Sequence, residues 1–142
     1  MTTRYSRAEW NGDLKSGTGE VEVGDGVFKG SYTFASRFEE GDGTNPEELA
    51  AAAHAACFSQ FLANVLAQAG SPPDSVHTEA AMHLERVDGA PTITRVELTT
   101  RGTVPGLAAD DFVAHAETAK AGCPVSKLFA GAEITVDAQL ES

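Results

Sequence analysis

The sequence predicts an α+β fold, and two patterns along the chain support this prediction. One long apolar stretch, residues 44–70, has the composition and the end signals of a single helix. The segments on both sides of it alternate between apolar and polar residues with a period of two, which is typical of strands. Because the chain has 142 residues, we expect a single domain over residues 1–142. The predicted element order is βββ-α-ββ-α-β, with antiparallel pairing between the strands.

The first three strands are predicted at residues 4–11, 18–24 and 27–34, where glycine and aspartate mark the turns between them. A polar loop, residues 36–44, then leads into the long helix. The N-terminal part is therefore predicted to form a small antiparallel meander followed by a loop that carries Arg37.

The long helix has signals for its start and its end. Asn45 is a good N-cap, Pro46 fits the first helical position, and Glu47 lies in the first turn, where the helix dipole favours negative charge. Gly70 and the two prolines that follow end the helix. Polar residues interrupt the apolar run and basic flanks are missing, so we expect a soluble core helix rather than a membrane span.

After the long helix, strands are predicted at residues 76–85 and 92–104, and a second helix at 110–122. One or two helical turns can follow at 124–130, and the last strand is predicted at 132–141. The expected apolar side of the second helix comprises Phe112, Val113, Ala116 and Ala119.

The charge and the cysteine content limit the possible functions. The formal net charge is −11, with 10 basic residues against 21 acidic ones, which argues against binding to nucleic acid or to an anionic membrane surface. The first ten residues lack the apolar segment of a secretory signal. Because the two cysteines are 66 positions apart and no export signal is seen, we expect reduced thiols and a cytoplasmic location.

The apolar residues of the long helix do not fall on one narrow stripe. A helix of this kind is normally buried on several sides, whereas one antiparallel sheet covers only one side. We therefore expect a two-fold homodimer in which two such helices pack together between two sheets. The alternative is that the second helix covers the other side within one chain.

The two cysteines are the main candidates for chemistry. Cys57 lies in the middle of the long helix, where a thiol is often only a small apolar side chain. Cys123 precedes Pro124, a good first residue for a helix, so the N–H groups of that short helix would favour a thiolate at Cys123. Two inert buried thiols are the alternative.

A metal site can also be assembled on paper, but the sequence lacks the close pairs of ligands that structural zinc sites normally show. We therefore expect no metal and no cofactor. The ligand set that we considered comprises His54, Cys57, Cys123 and one of His77 or His83.

Three segments carry a resemblance to a known family: Asn-Pro-Glu-Glu-Leu at 45–49, His-Ala-Ala-Cys-Phe-Ser at 54–59 and Ala-Gly-Cys-Pro-Val-Ser at 121–126. Ser-Arg-Phe-Glu at 36–39 and Glu-Ile-Thr-Val-Asp at 133–137 fit as well. On these motifs the chain resembles the OsmC/Ohr family of thiol peroxidases over essentially its full length.

Within that family, the chain resembles the OsmC branch (osmotically inducible protein C). The organic-hydroperoxide-resistance branch typically has an aromatic residue at the position of His54, and its active-site arginine lies nearer the N-terminus than Arg37. We expect His54 itself to pack rather than to catalyse.

The resemblance implies an intertwined homodimer, with two long central helices wrapped by antiparallel β-sheets. It also implies that Cys57 is the peroxidatic cysteine and Cys123 the resolving cysteine, with Arg37 and Glu47 as the family's active-site arginine and glutamate. The implied activity is the reduction of organic hydroperoxides, with hydrogen peroxide a poorer substrate and a dithiol of unknown identity as the reductant.

The chemistry of peroxides agrees with these roles. A thiolate attacks the O–O bond, and an unperturbed thiol with a pKa of about 8.5 is mostly protonated at neutral pH. Arg37 would lower the pKa of Cys57, and Glu47 would hold the guanidinium in a bidentate pair. Attack would give a Cys57 sulfenic acid, which Cys123 would convert to a disulfide before further oxidation.

The spacing of Glu47 and Cys57 leads to a further expectation. Ten residues along one helix separate them by about 15 Å, so one straight helix cannot bring them into one site. If the two helices of a dimer run antiparallel, Glu47 of one chain approaches Cys57 of the other. We therefore predict a composite active site at the dimer interface, with Phe58 and Phe61 among its apolar walls.

Two functions of other classes stay open from the sequence. One is a thiol redox sensor in which the same cysteines report oxidation without turnover. The other is a small-molecule-binding domain in which neither cysteine reacts with peroxide.

Overall fold

The computed structural model describes residues 2–142, and it confirms the predicted α+β class. The strands and helices of this part of the chain follow the order βββααββααβ. In chain order they are β1 (Ser6–Asn11), β2 (Thr18–Val23), β3 (Phe28–Tyr32), α1 (Phe34–Phe38), α2 (Pro46–Gln68), β4 (Ser75–Val87), β5 (Ala90–Thr103), α3 (Ala109–Gly122), α4 (Pro124–Leu128) and β6 (Glu133–Leu140).

The chain divides into two compact units, residues 1–49 and 50–142. Helix α2 begins in the first unit and continues through the second. The expectation of a single domain over residues 1–142 stays a prediction.

The first unit contains the antiparallel sheet β1-β2-β3, so the predicted meander is confirmed. Its pairing register places Gly19 opposite both Trp10 and Tyr32. The two aromatic rings lie 5.3 Å apart, centroid to centroid, over this glycine. A larger residue at this position would collide with both rings, since a Cβ would lie 2.6 Å from each.

The predicted polar loop at residues 36–44 is wrong at its start, because residues 34–38 form helix α1. A capping box explains this helix. The Thr33 side chain accepts a hydrogen bond from the Ser36 backbone, and the Ser36 hydroxyl accepts one from the Thr33 backbone, at 3.1 and 2.8 Å. Arg37 therefore lies on a short helix.

The second unit contains the sheet β4-β5-β6. β4 and β5 are antiparallel, as predicted, but β5 and β6 run parallel, with Val96 opposite Ile134. The prediction of antiparallel pairing throughout is wrong at this strand. The reason is the connection: α3 and α4 lie between the two strands, and a helical crossover of this length returns the chain to the end from which β5 began.

The core of the second unit lies between α2, β5 and α3. Val113 was expected on the apolar side of α3, but its side chain is 43% exposed. It lies one position after the buried Phe112, and successive helical residues point about 100° apart. The fully buried apolar residues are Phe58, Leu62, Leu66, Val96, Leu98, Val104, Phe112, Ala116, Ala119 and Cys123.

Both predicted ends of α2 are confirmed. The Asn45 side chain accepts a hydrogen bond from the Glu48 backbone N–H at 2.7 Å. At the other end, Gly70 has a positive φ of 89°, and the Ser71 N–H donates to the Leu66 carbonyl at 2.9 Å. This pair of features is a Schellman motif, which a residue with a Cβ adopts only with strain.

In the single chain, α2 is buried on one face only. The fully buried residues are four positions apart, at His54, Phe58, Leu62 and Leu66, whereas Ala53 and Ala56 are exposed. Among the described residues, α2 is long and apolar enough to cross a membrane by length and composition, with a mean hydropathy of 1.4 over 18 residues. Only 22% of that window is buried, so the expected burial on several sides is absent from one copy of the chain.

Candidate active site

The structure brings the two cysteines together. The Cys123 thiol donates a hydrogen bond to the Cys57 sulfur, and the two sulfur atoms are 3.0 Å apart. Both are free thiols. Cys123 is fully buried, whereas Cys57 is partly exposed, so solvent reaches Cys57 more readily. This asymmetry suits a pair in which one thiol meets an outside reactant first.

Cys123 is placed by the junction between α3 and α4. Its backbone N–H donates to the Ala119 carbonyl at 2.9 Å and ends α3, and Pro124 then begins α4. Gly122 permits this junction, because a Cβ at that position would lie 2.8 Å from the ring of Phe61. The glycine before Cys123 is therefore required by the close approach of Phe61.

The surroundings of Cys57 favour the neutral thiol in the single chain. Burial raises the pKa of Cys57, and the hydrogen bond from Cys123 raises it further, while a bond from the Val125 backbone N–H lowers it. We expected a lowered pKa at Cys57, and the single chain shows the opposite because burial dominates. The N–H group of α4 was also expected to act on Cys123, but Val125 donates to Cys57 instead.

Arg37 and Glu47 form the bidentate pair that the sequence predicted. Arg37 Nε donates to Glu47 Oε1 and Arg37 Nη2 donates to Glu47 Oε2, each at 3.0 Å. The Asn45 side-chain amide donates to the Ser36 carbonyl at 2.9 Å and so ties α1 to the start of α2. The geometry holds the guanidinium plane in one orientation.

A cavity of about 240 Å³ lies beside Arg37 in the first unit. The guanidinium also stacks on the Phe38 ring, with its carbon 5.1 Å from the ring centroid. This cavity was not predicted from the sequence, although the aromatic residues near Arg37 were a visible signal. The residues that line it are Trp10, Leu14, Tyr32, Thr33, Phe34, Arg37 and Phe38.

The apolar walls that we predicted from α2 are different in the structure. Phe58 is fully buried in the core of the second unit, so it is not available to a substrate in this chain. Phe61 is partly buried and packs close to Gly122. The prediction is therefore wrong for Phe58.

His54 and Ser126 form a contact that the sequence analysis missed. His54 is fully buried, and its Nε2 lies 2.7 Å from the Ser126 hydroxyl oxygen. Burial lowers the pKa of His54, so the ring is neutral at pH 7. A weak signal was present in the sequence, because His54 is three residues before Cys57 and Ser126 is three residues after Cys123.

A metal site was the alternative that we considered for the histidines and cysteines. Among residues 2–142, no three His, Cys, Asp or Glu side chains lie together in a way that could hold a metal ion. His54, one of the ligands that we considered, is bonded to Ser126 instead.

The fold and the site define an α+β protein in which one long apolar helix presents a thiol to a second, buried thiol. Residues 39–139 match the family described as OsmC-like protein. A protein named Peroxiredoxin OsmC from Escherichia coli is 47% identical over 140 residues, which cover 98% of this chain and 97% of that protein. The chain therefore belongs to the OsmC-like protein family, as the motifs predicted.

Solved structures with the same fold include organic hydroperoxide resistance proteins from two bacteria. The protein from Elizabethkingia anophelis is 24% identical, with a TM-score of 0.79 over 99% of both chains. The OhrB protein of Bacillus subtilis is 25% identical, with a TM-score of 0.68 over 96% of this chain and 98% of that one. These similarities support the predicted fold over nearly the whole length.

Proposed function

We propose that this chain is a thiol-dependent peroxidase that reduces organic hydroperoxides to alcohols. The observation that carries the proposal is the contact of two free thiols at 3.0 Å. It occurs in a chain that is 47% identical to a protein named Peroxiredoxin OsmC. The predicted enzyme class agrees with that name.

In the first step, the Cys57 thiolate attacks one oxygen of the hydroperoxide. The S–O bond forms as the O–O bond breaks, and the leaving alkoxide takes a proton to become the alcohol. Cys57 is the attacking thiol because it is the more exposed of the pair. The product on the protein is a Cys57 sulfenic acid.

In the second step, the Cys123 thiol attacks the sulfenic sulfur. The S–S bond forms, and the hydroxyl group leaves as water after taking the proton. The sulfur atoms, at 3.0 Å, need to approach by about 1 Å to reach a disulfide length. A dithiol reductant then restores both thiols by exchange. The identity of that reductant is left open.

Arg37 and Glu47 act in this proposal from the second copy of a homodimer. Along α2, the ten residues from Glu47 to Cys57 correspond to about 15 Å. The exposed Ala53 and Ala56 would let a second α2 approach closely. A cation from the partner would lower the pKa of Cys57, which burial raises in the single chain.

The cavity beside Arg37 supports a preference for organic hydroperoxides. Its lining is mainly aromatic, so it suits an apolar chain better than hydrogen peroxide. The guanidinium at its edge can donate hydrogen bonds to the peroxide oxygens and stabilise the charge on the leaving alkoxide. We expect hydrogen peroxide to react less well, because it leaves this apolar surface uncovered.

The remaining partner assignments follow from charge. A net charge of −11 disfavours nucleic acid and anionic membrane surfaces. We propose that the protein works in the cytoplasm, where a dithiol pool keeps thiols reduced.

Turnover of cumene hydroperoxide with dithiothreitol tests the proposal. We expect the wild type to turn over and Cys57→Ser to be inactive, with hydrogen peroxide a poorer substrate. Cys123→Ser is the matched control, since it keeps the first step and loses the intramolecular second one. Equal, negligible rates in all three proteins would contradict a peroxidase. One oxidation without turnover would instead identify a redox sensor.

A further inference from the structure

Two contacts join α2 to the first turn of α4. One is the thiol pair, Cys57 and Cys123, with sulfur atoms 3.0 Å apart. The other is the hydrogen bond between His54 Nε2 and Ser126 Oγ, at 2.7 Å. His54 lies one helical turn before Cys57, and Ser126 lies in the turn that follows Cys123.

The hydrogen bond between His54 and Ser126 is buried and can therefore hold α2 and α4 together. His54 is fully buried and Ser126 is 5% exposed, so water does not compete for either group. The His54 ring also packs edge-on against Phe129, at the end of α4, with centroids 5.5 Å apart. Breaking a buried hydrogen bond leaves polar groups unsatisfied, which makes the contact costly to open.

We infer that His54 and Ser126 form a clasp that positions Cys123 for its attack on the Cys57 sulfenic acid. The inference rests on the proposed function for that step. Neither residue of the clasp touches a reacting atom in the structure, so both are positioning residues. With the clasp closed, the sulfur atoms meet by a movement of about 1 Å, without displacement of α4.

The clasp would also protect Cys57. A sulfenic acid either condenses with a thiol, with loss of water, or reacts with a second peroxide to give a sulfinic acid. When α4 can move away from α2, condensation with Cys123 becomes slower. A larger fraction of the sulfenic acid then reacts with a second peroxide. The wild type therefore ends as a disulfide, and a variant without the clasp accumulates sulfinic acid at Cys57.

Two variants remove the hydrogen bond in different ways. His54→Phe keeps a ring against Phe129 and loses the polar atom, and Ser126→Ala loses only the hydroxyl. His54→Gln is the rescue variant, because its terminal amide can donate or accept a hydrogen bond near the position of Nε2. Ser59→Ala is the matched control, since it removes a 2.7 Å hydrogen bond from α2 to Thr78 of β4, away from α4.

Two measurements separate this inference from the proposed function. The equilibrium between dithiol and disulfide in dithiothreitol redox buffers needs no peroxide. Intact mass spectrometry after stepwise addition of cumene hydroperoxide gives the fractions of disulfide and sulfinic acid. Thermal unfolding of each variant shows whether it is folded, and Ser126→Ala decides the outcome if His54→Phe does not fold.

We expect His54→Phe and Ser126→Ala to lower the effective concentration of the two thiols by about five-fold, the factor that one net hydrogen bond contributes. Both variants should give more sulfinic acid than the wild type. His54→Gln should give less sulfinic acid than His54→Phe, and Ser59→Ala should give the wild-type amount. Wild-type values for the folded clasp variants, or equal changes in Ser59→Ala, would overturn the inference. A shifted equilibrium in a protein that does not consume peroxide would contradict the proposed function alone.

Discussion

At the scale of single residues, Arg37 and Glu47 form a bidentate ion pair that we propose acts on the charge at Cys57. Two parallel hydrogen bonds at 3.0 Å fix the guanidinium, which a lone surface ion pair does not achieve. The Glu47 side chain is only 11% exposed, so the pair is partly shielded from solvent. Its orientation is therefore set before a ligand binds.

The pH dependence of Cys57 oxidation tests the role of Arg37. Only the thiolate reacts, so the rate rises with pH and levels off above the pKa of Cys57. Arg37→Gln removes the cation that we propose lowers this pKa, and burial, which raises it, then dominates. We expect the oxidation rate at pH 7 to fall by about 10²-fold and the plateau of the rate to shift to higher pH. Stopped-flow measurement of the first oxidation step gives both values.

Arg7→Gln is the control for this measurement. Arg7 pairs with Glu22 at 3.3 Å on the exposed surface of the first sheet. Such pairs contribute little, so this profile should overlay that of the wild type. If the plateau of the oxidation rate in Arg37→Gln lies at the same pH as in the wild type, or at a lower pH, the ion pair with Cys57 is contradicted.

The sequence was sufficient for the residues that lie in motifs. Short motifs predicted Cys57, Cys123, Arg37 and Glu47, and the structure brings them together as two pairs, while their catalytic roles stay a prediction. The contact of His54 with Ser126 was not predicted, because the two residues are 72 positions apart and meet only after α4 docks on α2. Long-range contacts of this kind depend on packing, and the spacing of both residues from the two cysteines was only a weak signal.

At the scale of secondary structure, the junction of α3 and α4 positions the buried thiol. Gly122 ends α3, and its missing side chain leaves room for the ring of Phe61 from α2. The hydrogen bond from Cys123 to Ala119 then sets the direction in which the chain leaves the helix. The junction therefore fixes the positions of α2, α3 and α4 relative to one another.

Gly122→Ala is expected to destabilise the protein by about 1–3 kcal/mol, the range for forcing a group into a packed interior. The added Cβ would lie 2.8 Å from two ring atoms of Phe61, so the ring or the junction must move. Unfolding in urea measures the free energy. Gly131→Ala is the control, because a Cβ there meets nothing within 4 Å. Equal stability of the two variants would show that the junction yields without cost.

The elements that the sequence located best are those with a clear period. α2, α3 and the strands have strong patterns, and their bounds differ from the predictions by a few residues. α1 was missed because five residues are too few for a periodic signal, and only its capping box marks it. The parallel direction of β6 was missed because alternation reveals which face a residue occupies and not which way a strand runs.

At the scale of the whole molecule, the exposed side of α2 is the main argument for a second copy. α2 is long and apolar, yet only 22% of an 18-residue apolar window in it is buried in the single chain. The sequence predicted both the breadth of its apolar surface and the dimer as the remedy. The dimer itself stays a prediction.

Mixing two inactive variants tests the composite site. Refolding Cys57→Ser together with Arg37→Gln gives mixed dimers, half of the total, each with one intact site if Arg37 and Cys57 come from different chains. We expect recovery of about a quarter of the wild-type activity at random assortment. A site built within one chain predicts no activity beyond that of the two separate samples. Cumene hydroperoxide turnover, with each variant refolded alone as the control, measures the difference.

Cys123 lies in the crossover between β5 and β6, far along the chain from Cys57. The stretch from Cys57 to Cys123, 66 positions long, contains β4, β5 and α3 and spans most of the second unit, residues 50–142. A bond between the two sulfur atoms would close this whole stretch into a covalent ring, and closing a ring of that size removes about 4 kcal/mol of unfolded-state freedom. Each proposed catalytic cycle would thus close and reopen this ring. The protein would therefore be more stable against unfolding in its oxidised form than in its reduced form.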